Sequence, residues 1–108
     1  MTPLRIWIGW DEREAIAFHV LAHSILTRAS IPVTIAPVMR SQLTSVYTRP
    51  RGPLESTDFS MTRFLVPYLA GYRGLAIYMD CDMLCQTDIA ELVRGLEPGK
   101  AVHVVQHD

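Results

Sequence analysis

Leu75-Ala76-Ile77-Tyr78-Met79-Asp80-Cys81-Asp82-Met83-Leu84-Cys85 is an uncharged apolar run that stops at two carboxylates one residue apart. Five apolar or aromatic residues without alternation predict a strand covered on both faces, as in the middle of a parallel sheet. Open α/β sheets bind ligands in the crevice beyond the carboxyl ends of their strands, and Asp80 and Asp82 stand at such an end. Side chains two apart in extended chain point to the same side, so both carboxylates can face one hard cation while Cys81 turns away. Oxygen ligands of this kind suit magnesium, manganese or calcium. The same spacing occurs in solvated turns and helix caps, so the remaining chain has to decide between these readings.

The 108 residues fit one domain, residues 1–108, with no internal repeat, low-complexity segment or second domain. Hydrophobic residues at 49% and charged residues at 19% exclude a disordered chain. A net charge of −1 gives no general attraction for nucleic acid or acidic membranes, so anion binding has to come from a local site. Nothing at the amino end resembles a signal peptide, and no apolar run approaches the roughly eighteen residues of a membrane span. Cys81 and Cys85 would lie about 13 Å apart in extended chain, too far for a disulfide without a sharp turn, and are read as free thiols of a cytoplasmic protein.

Leu4 to Ile8 predicts a first strand, and Gly9-Trp10-Asp11 a short loop into a helix running from Glu12 to about Arg28. Asp11 and Glu14 have capping-box spacing. Ala15, Phe18, Ala22, Ile25 and Ala29 recur at helical steps and predict the buried stripe. Gly9 allows a close approach, but without a G-x-G-x-x-G series the dinucleotide fingerprint is missing. His19 and His23 have the spacing of an H-E-x-x-H zinc helix, yet Val20 stands where the general base should be, so a solvated helix rim is the better account.

Ile31-Pro32 leads into a strand from Val33 to Val38, with Pro37 marking an edge position or the strand's end. Arg40 to Glu55 predicts a long basic loop carrying Arg40, Arg49 and Arg51; such loops are usually solvated connections, but one this long serves as a lid or binding loop more often than average. Ser56-Thr57-Asp58 starts a helix whose predicted stripe is Met61, Phe64, Leu65 and Tyr68; Arg63 lies off it, free for phosphate oxygens. Pro67 removes a helix amide and should tighten or kink the helix before Gly71 ends it. Thr87 or Asp88 caps a short helix through Arg94, Leu96 to Gly99 turns the chain, and Ala101 to Val105 predicts a last strand.

In this order, Ile6-Trp7-Ile8-Gly9-Trp10-Asp11-Glu12-Arg13-Glu14-Ala15, Ser56-Thr57-Asp58-Phe59-Ser60-Met61-Thr62-Arg63-Phe64 and Ile77-Tyr78-Met79-Asp80-Cys81-Asp82-Met83-Leu84 with Asp88-Ile89-Ala90-Glu91-Leu92 resemble the donor half of a GT-A glycosyltransferase, and family 8, the glycogenin-like group, most of all. The resemblance covers nearly the whole chain. It implies an α/β fold: a three-layer, Rossmann-like GT-A nucleotide-sugar-binding half with a mainly parallel sheet, stopping before the acceptor half. It implies a hexosyltransferase-type glycosyltransferase that uses a nucleotide-sugar donor, a UDP-sugar above all, and an acceptor of unspecified kind. Ile8, Gly9, Trp10 and Asp11 would lie against base and ribose, Arg63 against the diphosphate or sugar, and Asp80 and Cys81 in the same nucleotide-sugar site. Asp80 and Asp82 would hold Mn2+ or Mg2+. The family's histidine that completes the metal site is not assigned to His103 or His107, and retention of anomeric configuration is implied by membership alone.

Two rivals are set beside it. A haloacid-dehalogenase-type phosphatase also carries D-x-D after an apolar strand, but it expects Thr or Val where Leu84 stands and usually places the motif after the first strand. A nucleotide- or metal-binding module without turnover shares the site and lacks the acceptor half. A bare sheet edge is expected to favour homo-oligomers or aggregation over a clean monomer.

Overall fold

Leu4, Ile6 and Ile8 alternate with Arg5 and Trp7, and a period of two puts the aliphatic set on one face of a strand. The computed structural model, which describes residues 2–106, contains this strand as β1 (Leu4–Gly9), with Ile6 only 1% exposed. β1 is the middle of a three-stranded sheet; β2 (Val33–Val38) and β3 (Ala76–Met79) flank it in the order β2-β1-β3, both parallel to it. Ile6 pairs with Ile35 on one side and Ile77 on the other. The protein is α/β with a parallel sheet. Pro37, which cannot donate to a ladder, sits in an outer strand as expected.

The strand at 75–79 is present, but its expected central place is corrected. β3 is an outer strand with all four residues half-buried, and β1 is the strand buried most deeply. An apolar run reports cover on the two faces of a strand, not neighbours at its two edges, and among the described residues nothing pairs with the far edge of β3. The strand expected at 101–105 does not form. Residues 101–106 are exposed and make no ladder, and Val102 and Val104 have nothing to pack against. His107 lies outside the described residues.

Glu12–Glu14 is a 3-10 turn that runs into α1 (Ala15–Arg28). The buried stripe of α1 is Leu21, Ser24 and Ile25 with Ala17, Phe18 and Ala29 beside it, so the expected stripe through Ala15 and Ala22 is rotated. Its centre is Leu21, because the larger side chain buries more apolar area than Ala22. Ser24 is buried without cost to its hydroxyl, which donates to the Leu21 carbonyl at 2.7 Å and accepts the Cys85 amide at 2.9 Å. His19 and His23 are exposed, as the rim reading expected.

The segment after residue 56 breaks into α2 (Phe59–Thr62), a 3-10 turn at Arg63–Leu65 and α3 (Val66–Leu69). The tightening ahead of Pro67 is thus observed, and Gly71 closes the segment at φ 69. Its inward face is corrected to Phe59, Thr62, Val66 and Ala70; Phe64 is 66% exposed. Three short helical pieces in place of one straight helix shift the phase of the stripe. The expected start at Ser56-Thr57-Asp58 is right in place but not in chemistry: the Ser60 hydroxyl accepts the Thr57 amide, and Asp58 accepts from Arg51 instead of capping. In the preceding loop Arg40 donates to the Arg49 carbonyl at 2.8 Å and lies over the Tyr47 ring, and Arg51 donates to the Glu55 carbonyl at 3.2 Å, so two of the loop arginines hold the loop's own backbone.

α4 (Ile89–Arg94) is capped by Asp88, whose Oδ1 accepts the Ala90 amide at 3.0 Å and the Ser30 amide at 3.1 Å, tying α4 to the end of α1. Leu21, Ile25, Cys81, Cys85 and Ile89 pack with Leu4, Ile6 and Ile8 on one face of the sheet. The other face carries Arg5, whose guanidinium donates to the Ala70 carbonyl at 2.8 Å and to the Arg73 and Leu75 carbonyls, and Gly9, which faces Phe59. Helices therefore cover both faces, and the carboxyl ends of β1 and β3 open at one rim. No helix among the described residues is long and apolar enough to cross a membrane.

Candidate functional site

The rim beyond β1 and β3 is built by the period of the strand. Tyr78, Asp80 and Asp82 follow one another at two-residue steps, and the Tyr78 hydroxyl donates to Asp80 Oδ1 at 3.0 Å, so both point to the face that carries α2. Asp80, Asp82 and Arg63 line one open cavity of about 220 Å³. Ser56, Thr57, Phe59 and Ser60 supply its far wall, and Glu14 closes it from the side of α1. The cavity combines three carboxylates, those of Asp80, Asp82 and Glu14, with a guanidinium and three hydroxyls. A second cavity of about 350 Å³ is lined by Asp11, Arg13, Glu14 and Ser56, so the two share Glu14 and Ser56 as a common wall.

Cys81 turns away from this cavity, as expected of the middle residue. It is 1% exposed, lies in the core cluster, and its thiol donates to Glu14 Oε2 at 3.3 Å. Burial, then the bond to Glu14 and the charges of Glu14 and Asp82, push the Cys81 thiol up to about 12. It therefore holds its proton at physiological pH and keeps the bond to Glu14. Burial and the neighbouring Asp80 carboxylate raise the Tyr78 phenol far above its ordinary value, so its proton stays on the bond to Asp80.

Asp11 is 2% exposed. Its Oδ1 accepts the Arg13 amide at 3.0 Å, its Oδ2 accepts the Asp58 amide at 3.1 Å, and the Arg13 guanidinium lies 3.5 Å away. Burial alone would raise its carboxyl, but the Arg13 and Asp58 amides and the Arg13 guanidinium outweigh it and hold the carboxyl below the usual 3.8. Asp11 thereby ties the loop after β1 to the start of α2 across the site. The expected reciprocal half of a capping box is absent, because the Glu14 carboxylate has gone to Cys81 and the cavity.

Of the residues singled out in the sequence, Arg63, Asp80 and Asp82 come together in one cavity and Asp11 lines the neighbouring one. Ile8 is fully buried, and Cys81 is nearly so, and neither side chain reaches the opening. Trp10 lines neither cavity; its indole packs edge-on against Phe18 and His19 and donates to Glu12 at 3.2 Å. Gly9 is needed because a Cβ there would lie 2.5 Å from Phe59 Cγ, so the close neighbour it admits is the ring at the head of α2. Glu14, Ser56, Thr57, Ser60 and Tyr78 were not anticipated as site residues. Glu14, Ser56 and Thr57 carry the signature of helix starts, Ser60 carries no signal of its own, and Tyr78 is hidden by the apolar run in which it sits.

Among the described residues no group of three or more His, Cys, Asp or Glu side chains is arranged to hold a metal ion. The donor set that is present, two carboxylates on the wall of a polar cavity facing an arginine, nevertheless fits an ion of the magnesium type, which takes one or two carboxylates and fills its other positions with water and phosphate oxygens.

No family model matches the chain, and no solved structure matches it. Among curated proteins, Protein CDI of Arabidopsis thaliana is 48% identical to it over 108 residues, a match that takes in 98% of this chain and 42% of that protein. The chain thus spans less than half the length of the curated relative it matches.

Proposed function

We infer that the cavity at the carboxyl ends of β1 and β3 is the donor site of a glycosyltransferase of the GT-A type, family 8, and binds a nucleotide sugar, with UDP-sugars favoured. One observation carries the reading: the Asp80 and Asp82 pair and Arg63, which comes from a different element, share one polar cavity where parallel strands end. Asp80 and Asp82 would hold Mn2+ or Mg2+, which when bound supplies Lewis-acid neutralisation of the departing diphosphate. Arg63 binds diphosphate oxygens through charge-assisted hydrogen bonds and orients them. The hydroxyls of Ser56, Thr57 and Ser60 offer neutral donors to the same oxygens or to the sugar. Asp11 keeps the loop after β1 docked on α2, so that the wall carrying Arg63 stays in register with the carboxylates.

A second reading, a nucleotide- and metal-binding module without turnover, would use the same cavity, whose lining supplies groups for a donor. Calorimetric titration with UDP in Mn2+ and in chelator, followed by transfer assays with UDP-sugars and a panel of acceptors, separates the two. Binding is expected only with the metal, and Asp82→Ala abolishes it. Arg63→Ala weakens it by about 1.5–3 kcal/mol, the scale of a hydrogen bond to a charged group, and leaves cooperative melting intact because Arg63 is exposed. Equal binding in chelator removes the metal from the account, and unchanged binding in Asp82→Ala removes the site.

A further inference from the structure

Tyr78 is the one aromatic in the run that leads to the carboxylate pair whose polar end reaches that pair. It lies on β3 opposite Trp7, on the sheet face that carries α2, and is half-buried there. Its hydroxyl donates to Asp80 Oδ1 at 3.0 Å. A carboxylate on a chain that has just left a strand otherwise turns freely about its terminal torsion, which is broad for Asp. One oxygen engaged by a phenol that is itself clamped in the sheet fixes that torsion, and the other oxygen is left to a cation.

We propose that Tyr78 is a positioning residue for the divalent cation: its hydroxyl orients Asp80, so that Oδ2 faces the cavity shared with Asp82 and Arg63. The proposal rests on the reading of Asp80 and Asp82 as cation ligands. Outer partners of metal-binding carboxylates act in this way, and their loss lowers metal affinity by about 10- to 100-fold without touching the ion. Tyr78→Phe removes only the hydroxyl and keeps the ring that packs on the sheet.

The test is Mn2+ binding to the parent chain and to Tyr78→Phe, read from the free-ion paramagnetic resonance signal, beside thermal melting of both in chelator. About 10-fold weaker Mn2+ binding in Tyr78→Phe, with an unchanged chelated melt, is the expected result. Equal Mn2+ affinities in the two chains overturn the role of Tyr78 and leave the cation site standing. Weaker binding matched by an equally lowered chelated melt shows a tyrosine needed for folding, and also overturns it. A parent chain that takes up no Mn2+ sinks the cation reading and this proposal with it.

Discussion

Gly9→Ala adds a single methyl group at the point where β1 meets α2, and the structure allows its effect to be worked out. The new Cβ would lie 2.5 Å from Phe59 Cγ, 2.7 Å from Cδ2 and 2.8 Å from Cδ1, against about 3.5–4.0 Å for carbon atoms in ordinary contact. The ring therefore has to withdraw by about 1 Å. Phe59 is 6% exposed and belongs to the core cluster, so its ring can withdraw only by carrying α2 with it or by encroaching on the cavity that it lines. Overpacking of this size costs about 1–3 kcal/mol, which for a domain of about 100 residues lowers the melting midpoint by about 4–8 °C per kcal/mol. Phe59→Leu should relieve the clash, so in a double-mutant cycle the double variant should be more stable than the sum of the single losses by about 0.5–3 kcal/mol. Differential scanning calorimetry of the four chains measures both quantities. A Gly9→Ala chain that melts with the parent, or costs that simply add, would refute the packing argument. Because Phe59 also lines the cavity with Arg63, the same variant should weaken Mn2+-dependent UDP binding.

Acid stability offers a second test. The carboxyls of Asp11 and Asp88 both sit below their usual 3.8, Asp11 because its hydrogen bonds outweigh its burial and Asp88 through its bonds with Ser30 and Ala90. Each binds fewer protons folded than unfolded, so its contribution is complete above about pH 4 and is lost as the pH falls through its folded-state value. Asp11→Asn should cost about 1.5–3 kcal/mol at neutral pH, and its deficit against the parent should shrink below pH 4; a deficit independent of pH in urea melts from pH 2 to 7 would sink the idea. Cys81 and Cys85 are both buried and unpaired, and Cys81 is a neutral thiol, so a disulfide reagent should find no fast thiol in the native chain and two in denaturant. A stoichiometric fast reaction at neutral pH would place one of them at the surface.

Much of the fold is legible in residues whose signal is local. Val33–Val38 is bounded by Pro32 and carries its edge mark in Pro37, the cap of α4 is written as Asp88, and Pro67 tightens the helical segment ahead of it. What fails is whatever depends on a neighbour far along the chain. The place of β3 at the edge of the sheet is set by pairing, which an apolar run does not encode. Phe59, Thr62, Val66 and Ala70 replace the expected stripe because a 3-10 turn, with fewer residues per turn than an α-helix, changes which side chains face inward. The site divides in the same way. Asp80 and Asp82 are readable from strand period and Arg63 from its place off the stripe, whereas Glu14 carries the spacing of a cap and is drawn into the site by a thiol 67 positions away.

The middle position of β1 also governs the order in which the chain can fold. Of the three strands it leaves the ribosome first, yet its second partner is β3, and the Arg5 guanidinium has to wait for a carbonyl 70 positions further on. Closing so long a loop costs chain entropy before any contact returns it, and parallel pairing between distant strands is slow for that reason. β1 and β2 can meet around α1 early, leaving one edge of β1 without hydrogen bonds until Ala76 to Met79 have been made. During synthesis that edge is a template for any other strand, and β1 is most open to mispairing before β3 arrives.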